Sequence, residues 1–222
     1  MTSVKKDKWV SYRRTYLDYL QEKFKYFYKG VVLDIGGRDR GYFVKPKDKV
    51  EKWIFADINA QYKPDLLLDV SNMKEVESNS VDVVNAIELF EHVLNIEGGL
   101  EEIYRVLKKD GILILSVPFM YHVHGDPYDF QRWTNQKWLI VLKKIGFRVE
   151  KLIIMGKYFT HLSETIKFMH RIKKKSFFPV KLILRVMLPI LNKVVLYDNE
   201  KWIKDDQILN NFHNGYFIIA KK

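Results

Sequence analysis

The chain has 222 residues, 47% of them hydrophobic, with a formal net charge of +11 and no cysteine. That length supports one well-buried core and is short for two ordinary domains. The lack of cysteine excludes disulfides, thiolate metal ligands and a cysteine nucleophile.

The opening MTSVKKDKWV has no apolar core of a secretory signal, so a cytoplasmic protein is expected. From Trp9 to Tyr28 the aromatics Tyr12, Tyr16, Tyr19 and Phe27 follow one helical face. That spacing predicts a covering helix whose aromatics pack inward, in preference to rings that stack on nucleic-acid bases. The run VVLDIGGRDRG, Val31 to Gly41, follows. Val31, Val32 and Leu33 suit a central parallel strand buried on both faces. Asp34 closes it, and Gly36-Gly37 opens a turn in which the backbone can approach a ligand without a Cβ in the way. A Gly-Gly turn is equally often only a tight connection, so the features that follow must decide.

KWIFADINA gives a second strand ending in Asp57, where an acid commonly accepts hydrogen bonds from ribose hydroxyls. PDLLLDV gives a third, closed by Asp69, and SVDVVNAIELFEHV a fourth that runs into Glu88, Glu91 and His92. A helix in LEEIYRVLKKDG then leads to the fifth strand, ILILSVPF. This rhythm is that of a doubly wound α/β sheet. A nicotinamide dinucleotide site belongs to the same architecture, but it needs glycine at turn positions one, three and six, which Gly36, Gly37 and Gly41 do not supply.

On these residues the chain resembles the class I S-adenosylmethionine-dependent methyltransferases, the broad type 11 group with the hallmark strings LDIG, LEHV and RVLKPGG. Here they read LDIGGRDRG, LFEHV and RVLKKDG, between about Gly30 and Gly156. Arg38 and Arg40 stand where that family has glycines, and Lys109-Asp110 replaces a Pro-Gly pair in what is expected to be a surface turn. The resemblance implies a Rossmann-like seven-stranded doubly wound sheet with an antiparallel last strand. It further implies S-adenosylmethionine as cofactor, with Asp34, Gly36 and Gly37 around its methionine portion and Asp57 on the ribose. Ile58 would lie on the adenine face, Asp69 and the Val70 backbone at the adenine edge, and Glu88 beside the sulfonium end.

After the fifth strand, VPFMYHVHGDPYDFQRWT leaves the carboxyl end of the sheet, where ligands of open α/β sheets lie. His124, Pro127, Asp129, Phe130, Arg132 and Thr134 spell H-x-x-P-x-D-F-x-R-x-T. Similar strings recur in methyltransferases of this group encoded with cell-surface glycan and small-molecule enzymes. A hydroxyl acceptor benefits from a base, which makes His124 the first catalytic candidate and His122 the second. Asp129 and Arg132 are read as an ion pair or a cap for a helix starting near Thr134, and His92 as a residue that fixes its loop. No metal site is expected, because His122 and His124 lack a carboxylate cluster at metal spacing.

Asn135 to Ile145 forms an amphipathic helix, GFRVEKLIIMG a sixth strand and GYFIIAKK the last. The long stretch between those strands exceeds a hairpin connection and predicts a helical insertion. The chain thus divides into a covering helix (1–29), the cofactor-binding core (30–156), the insertion (157–210) and the last strand (211–222). From Lys167 to Lys193 the insertion carries eight cations and no acid. Lys181, Arg185 and Asn192 form a narrow stripe beside a broad apolar face, with Pro179 and Pro189 expected to break the helix. Such a segment fits either a lid or an anionic membrane interface. Lys181 and Arg185 interrupt the best candidate for a spanning helix.

The expected function is O-methylation of a sugar, a glycan precursor or a small metabolite. RNA methylation ranks below it, since Glu88 and Glu91 stand where phosphate would approach; a non-catalytic binding module with this fold ranks third. Oligomeric state is not legible.

Overall fold

Val31 to Ile35 enter the sheet as an almost unbroken apolar run, and the strand they form, β1 (Gly30–Ile35), lies at its middle. The structure is a computed structural model that describes residues 11–37, 42–125, 127–169 and 178–222. Its seven strands are β1, β2 (Val50–Asp57), β3 (Leu66–Leu67), β4 (Val81–Ile87), β5 (Leu107–Pro118), β6 (Arg148–Ile154) and β7 (Gly215–Lys221). They are ordered β3-β2-β1-β4-β5-β7-β6. The β3-β2, β2-β1, β1-β4 and β4-β5 pairings are parallel, while β7 runs antiparallel to β5. The strand order therefore reverses at β1/β4, and the carboxyl ends of β1, β2 and β4 open on the crevice where this architecture binds ligands.

Two compact units are present: residues 18–153 with 215–222, and residues 1–17 with 154–214. In the larger unit, the core is built from both faces of the parallel strands and from α2 (Ile96–Val106), which buries Ile96, Leu100 and Ile103. Asn95 caps that helix by accepting from the Gly98 N–H. α3 (Asn135–Ile145) has the limits read from the sequence; Thr134 is its N-cap and Gly146 its left-handed C-cap.

Four details differ from the sequence reading, the last of them in the smaller unit. In α1 (Tyr12–Lys23) the buried residues include Leu17 and Leu20, while Tyr16 and Tyr19 are exposed, so the aliphatic stripe and not the aromatic one faces inward. The third strand is only two residues long, because the Asp69 side chain folds the chain back by accepting from the Ser71 N–H and hydroxyl. Lys109 and Asp110 lie within the bounds of β5, not in a separate turn. Asp110 takes the left-handed conformation (φ 64°) and pairs with Lys221 at 2.6 Å. An Asp tolerates that conformation better than most side chains.

In the smaller unit, α4 (Tyr158–Met169) is capped from a distance. Asp198 accepts from the backbone N–H groups of Lys157, Phe159 and Thr160 at 2.8, 2.8 and 3.0 Å. α5 (Phe178–Val194) runs unbroken through both prolines, and α6 (Lys201–Asp205) follows. Pro179 sits in the first turn, where its missing N–H has no helical acceptor to lose. Pro189 forfeits one bond, and the helix continues. No helix among the described residues is long and apolar enough to cross a membrane.

Candidate active site

The first loop of the site is held from beneath. Asp34, at the end of β1, is 1% exposed. It accepts from Asn85 Nδ2 of β4 at 2.6 Å and from Lys45 Nζ at 2.9 Å. Asn85 in turn accepts from the buried Tyr28 hydroxyl at 2.8 Å. A Cβ on Gly37 would fall 2.0 Å from the Asp34 carboxylate, so only glycine lets the main chain pass over that acid. Gly36, at φ 68°, makes the turn itself. Gly41, Arg38 and Arg40, singled out in the sequence, lie outside the described residues.

The second and third strand ends supply acids with capacity to spare. Asp57 is mostly buried, and its Oδ1 accepts from the Asn59 N–H at 2.8 Å. Its other oxygen has no hydrogen-bond partner among the described residues. Ile58, next in the chain, is 71% exposed, an apolar surface of the kind a planar base covers. Asp69 is exposed, and its Oδ1 serves the turn through Ser71 while Val70 is buried. Past β4, Glu88 adopts φ 53°. Ser116 of β5 pins it twice, accepting from the Glu88 N–H and donating its hydroxyl to Oε1, both at 2.9 Å.

The loop after β5 is stitched to the segment after β4. The Phe130 N–H donates to the Glu91 carbonyl at 2.9 Å, and Gln131 Nε2 donates to the carbonyls of Val93 and Leu94 at 2.8 and 3.1 Å. His92 Nδ1 meets the Tyr128 carbonyl, so His92 holds the loop after β5, where the sequence reading has it fix its own loop after the fourth strand. Asp129 and Arg132 form a bidentate ion pair, whose hydrogen bonds, against the opposing effect of burial, hold the Asp129 carboxyl far below the usual range. The helix cap is Thr134 instead.

His124 is half-buried. Its backbone N–H donates to Asp129 Oδ2 at 2.8 Å, and its Nδ1 lies 3.3 Å from both the His122 carbonyl and that same Asp129 oxygen. Burial pushes its imidazole below the ordinary value, more than Asp129 pulls it up. The His124 ring stands edge-on to His92, with centroids 5.1 Å apart, and His124 Nε2 lies 3.9 Å from Glu91 Oε1. His122 is exposed and lies against the Tyr121 ring, with centroids 4.4 Å apart. The His124 ring therefore packs closer to His92, beside the buried Glu91, than to the His122 ring, whose centroid is 6.0 Å away.

Residues 48–115 match the family model described as a methyltransferase domain. Over that segment, about a third of the chain, the sequence is that of a methyltransferase domain. The fold of the chain matches that of an S-adenosylmethionine-dependent methyltransferase from Archaeoglobus fulgidus, with a TM-score of 0.54, 18% identity and 94% of each chain covered. Phosphoethanolamine N-methyltransferase 2 from Haemonchus contortus, solved with S-adenosyl-L-methionine, aligns at a TM-score of 0.55 and 17% identity, over 94% of this chain and 52% of that one. The [4+2]-cyclase SpnF aligns at a TM-score of 0.58 and 16% identity, over 98% and 84%. A comparison with the curated proteins finds no match.

S-adenosyl-L-methionine is the group bound in the Haemonchus structure. The residues present fit it: a carboxylate oxygen to spare on Asp57, an exposed Ile58 beside it, and a Gly36-Gly37 turn open to close approach. Sequence reasoning missed Asn85 and Lys45, and read Glu91 only as an acid that repels phosphate. The signal for Asn85 was present, since a lone amide within the buried strand VDVVNAI demands a partner.

Proposed function

We propose that this methyltransferase acts at a hydroxyl oxygen of a sugar, a glycan precursor or a related small metabolite. The observation that carries the reading is the orientation of His124. Both groups near Nδ1, a carbonyl and a carboxylate, can only accept, so Nδ1 carries the hydrogen and Nε2 is left with a lone pair.

Bound S-adenosylmethionine supplies an electrophilic methyl group on a sulfonium sulfur. The acceptor oxygen forms a bond to that methyl as the sulfur–carbon bond breaks. The chain must align the two and remove the hydroxyl proton. Asp57 and Ile58 would hold the adenosine end, and Glu88 would lie toward the sulfonium. His124 Nε2 takes the proton, held in one tautomer by Asp129 and Arg132. Exposed aromatics on the same loop, Tyr128 and Phe130, offer flat apolar faces of the kind that sugar rings stack on.

The test is to incubate the purified protein with methyl-labelled cofactor and separate glycan, lipid-linked glycan, small-metabolite and RNA fractions. Label in glycan or metabolite supports the reading, and label only in RNA overturns it. His124→Ala is expected to lower turnover by about 10²-fold or more while leaving cofactor affinity within about 2-fold. Loss of both would make His124 a loop-shaping residue.

The partner proposed for α5 is an anionic membrane surface. Phe178, Leu182, Ile183, Val186 and Ile190 are all exposed, as is Arg185, a pattern that suits an interfacial helix. Arg171 and Lys173 to Lys175 lie outside the described residues. Sedimentation with vesicles should show binding to anionic lipid, weakened by salt, and none to zwitterionic lipid. Equal recovery with both, or with neither, removes the proposal.

A further inference from the structure

Three ligating side chains converge at the base of the loop after β5. Glu91 Oε1, His92 Nε2 and His124 Nε2 all lie within 4.8 Å of one another, with Glu91 Oε1 at 3.8 Å from the first nitrogen and 3.9 Å from the second. Their hydrogens can be assigned. His92 Nδ1 faces the Tyr128 carbonyl, and His124 Nδ1 faces the His122 carbonyl and Asp129 Oδ2. Those groups only accept, so both imidazoles carry hydrogen on Nδ1 and turn an Nε2 lone pair inward. The group they turn toward is a carboxylate 2% exposed, which also only accepts when ionised. Three ligating atoms, two on imidazoles and one on a buried carboxylate, thus come together in an arrangement that one cation could bridge.

We propose that Glu91, His92 and His124 form a binding site for one divalent transition-metal ion, with zinc the type ion for two imidazoles and a carboxylate. The surroundings are those of a metal site as well as the ligands. Each histidine donates its outer N–H to a carbonyl or a carboxylate, which fixes the ring and raises the basicity of Nε2. Asp129 is itself clamped by Arg132. Gly125, at φ 67°, lets the loop lie close on the His92 ring, because a Cβ there would sit 3.0 Å from Cε1. Tetrahedral zinc with ligands at about 2.0–2.2 Å needs donors about 3.3–3.4 Å apart. The two separations from Glu91 exceed this by about half an ångström and the one between the histidines, within 4.8 Å, by at most about 1.4 Å, a gap that rotation of two half-buried imidazoles would have to close.

Three protein ligands leave at least one position open, the pattern of a catalytic and not a structural ion. The proposal rests on the hydroxyl-acceptor reading for the oxygen that completes the coordination, and on nothing in that reading for the ion itself. With the ion bound, His124 Nε2 is a ligand and no longer the base proposed above. The ion then lowers the pKa of the acceptor hydroxyl as it does that of water, and the proton leaves to solvent.

The test is direct binding. The full chain, stripped with chelator, is titrated with Co²⁺ while its visible ligand-field absorption is followed, and then with Zn²⁺ in the calorimeter. The expected result is one equivalent of Co²⁺ in a four- or five-coordinate site, displaced by Zn²⁺, with melting temperature raised by Zn²⁺. Glu91→Gln and His92→Ala should each weaken binding at least about 10-fold, and Asp129→Asn about 10- to 100-fold. His122→Ala should leave it unchanged. Absence of Co²⁺ binding by the wild-type chain overturns the proposal, and this result needs no variant to fold. Binding that survives both Glu91→Gln and His92→Ala, or that is lost with His122→Ala alone, also overturns it. Ion binding without methyl transfer to any hydroxyl fraction would remove the acceptor reading and leave the site standing. Methyl transfer unaffected by chelator, with no Co²⁺ bound, would do the reverse.

Discussion

Asn85 and Asp34 face one another across the β1–β4 seam, with the Asn85 amide donating to the buried acid at 2.6 Å and accepting from Tyr28 on its other side. The strand pairing sets them opposite each other, so the bond is made by the sheet register itself. Asn85→Leu keeps the volume but strips a buried carboxylate and a buried phenol of a partner at once. Its cost is expected at about 3–5 kcal/mol, seen as a lowered urea midpoint. Tyr28→Phe, which removes only one donor, should cost about 1 kcal/mol. Equal losses in the two variants would mean that Asp34 draws little from Asn85.

Gly37→Ala tests whether the turn over Asp34 is as tight as the geometry requires. The new methyl would meet a carboxylate that cannot swing aside, because Asn85 and Lys45 hold it. Either the acid leaves its pocket or the loop lifts. Both spoil the floor of the cofactor site, and S-adenosylmethionine affinity should fall at least about 10-fold in calorimetry, about 1.4 kcal/mol. Gly36→Ala should be milder, since its nearest neighbour is the tip of the Leu89 side chain at 3.2 Å, although φ 68° still penalises any side chain.

Asp57→Ala removes the carboxylate that has an oxygen to give, and cofactor affinity should drop about 10- to 100-fold. Ile58→Ala trims an apolar face that only a ligand would cover. It should cost about 1 kcal/mol of binding and almost nothing in folding stability, because the side chain is already exposed. A fall in melting temperature with unchanged affinity would place Ile58 in the fold and not in the site.

The parts of this molecule legible in its sequence are those set by local pattern. Val31 to Leu33, the Asn135 to Ile145 helix and the last strand are apolar runs or amphipathic periods bounded by their own caps and turns. The third strand looked longer because PDLLLDV is apolar throughout, yet Asp69 reverses the chain through its side chain, an effect that hydrophobic pattern does not register. The inward face of α1 was misread because Leu17 and Leu20 alternate with tyrosines, and period alone does not say which stripe is buried. In the site, Asp57 and Ile58 follow from chain order along the sheet. The pairing of His124 with His92 and Glu91 does not, because it depends on how a loop after β5 closes on a segment more than 30 positions earlier. Lys45 reaches Asp34 in the same non-local way.

Glu164, in α4, offers a stability prediction with a definite sign in pH. Burial raises its carboxyl pKa, and this outweighs the backbone N–H groups of Arg13 and Tyr12 and the charge of Lys167, which pull it down. A carboxyl whose folded pKa lies above its unfolded value favours the folded state while protonated. That contribution is fully present below the unfolded pKa and is lost as pH rises through the folded one. Melting of the smaller unit should therefore weaken from acidic toward neutral pH by more than its other groups explain. Glu164→Gln keeps an acceptor for the Arg13 N–H without a buried charge, so it should raise the melting temperature at neutral pH by about 2–4 °C, on the order of 1 kcal/mol. The gain should shrink below the unfolded pKa, where the wild-type acid is neutral in both states. A Gln variant less stable than wild type at neutral pH would show that the carboxylate is held there as an anion, and that the charges of Arg13 and Lys167 outweigh its burial.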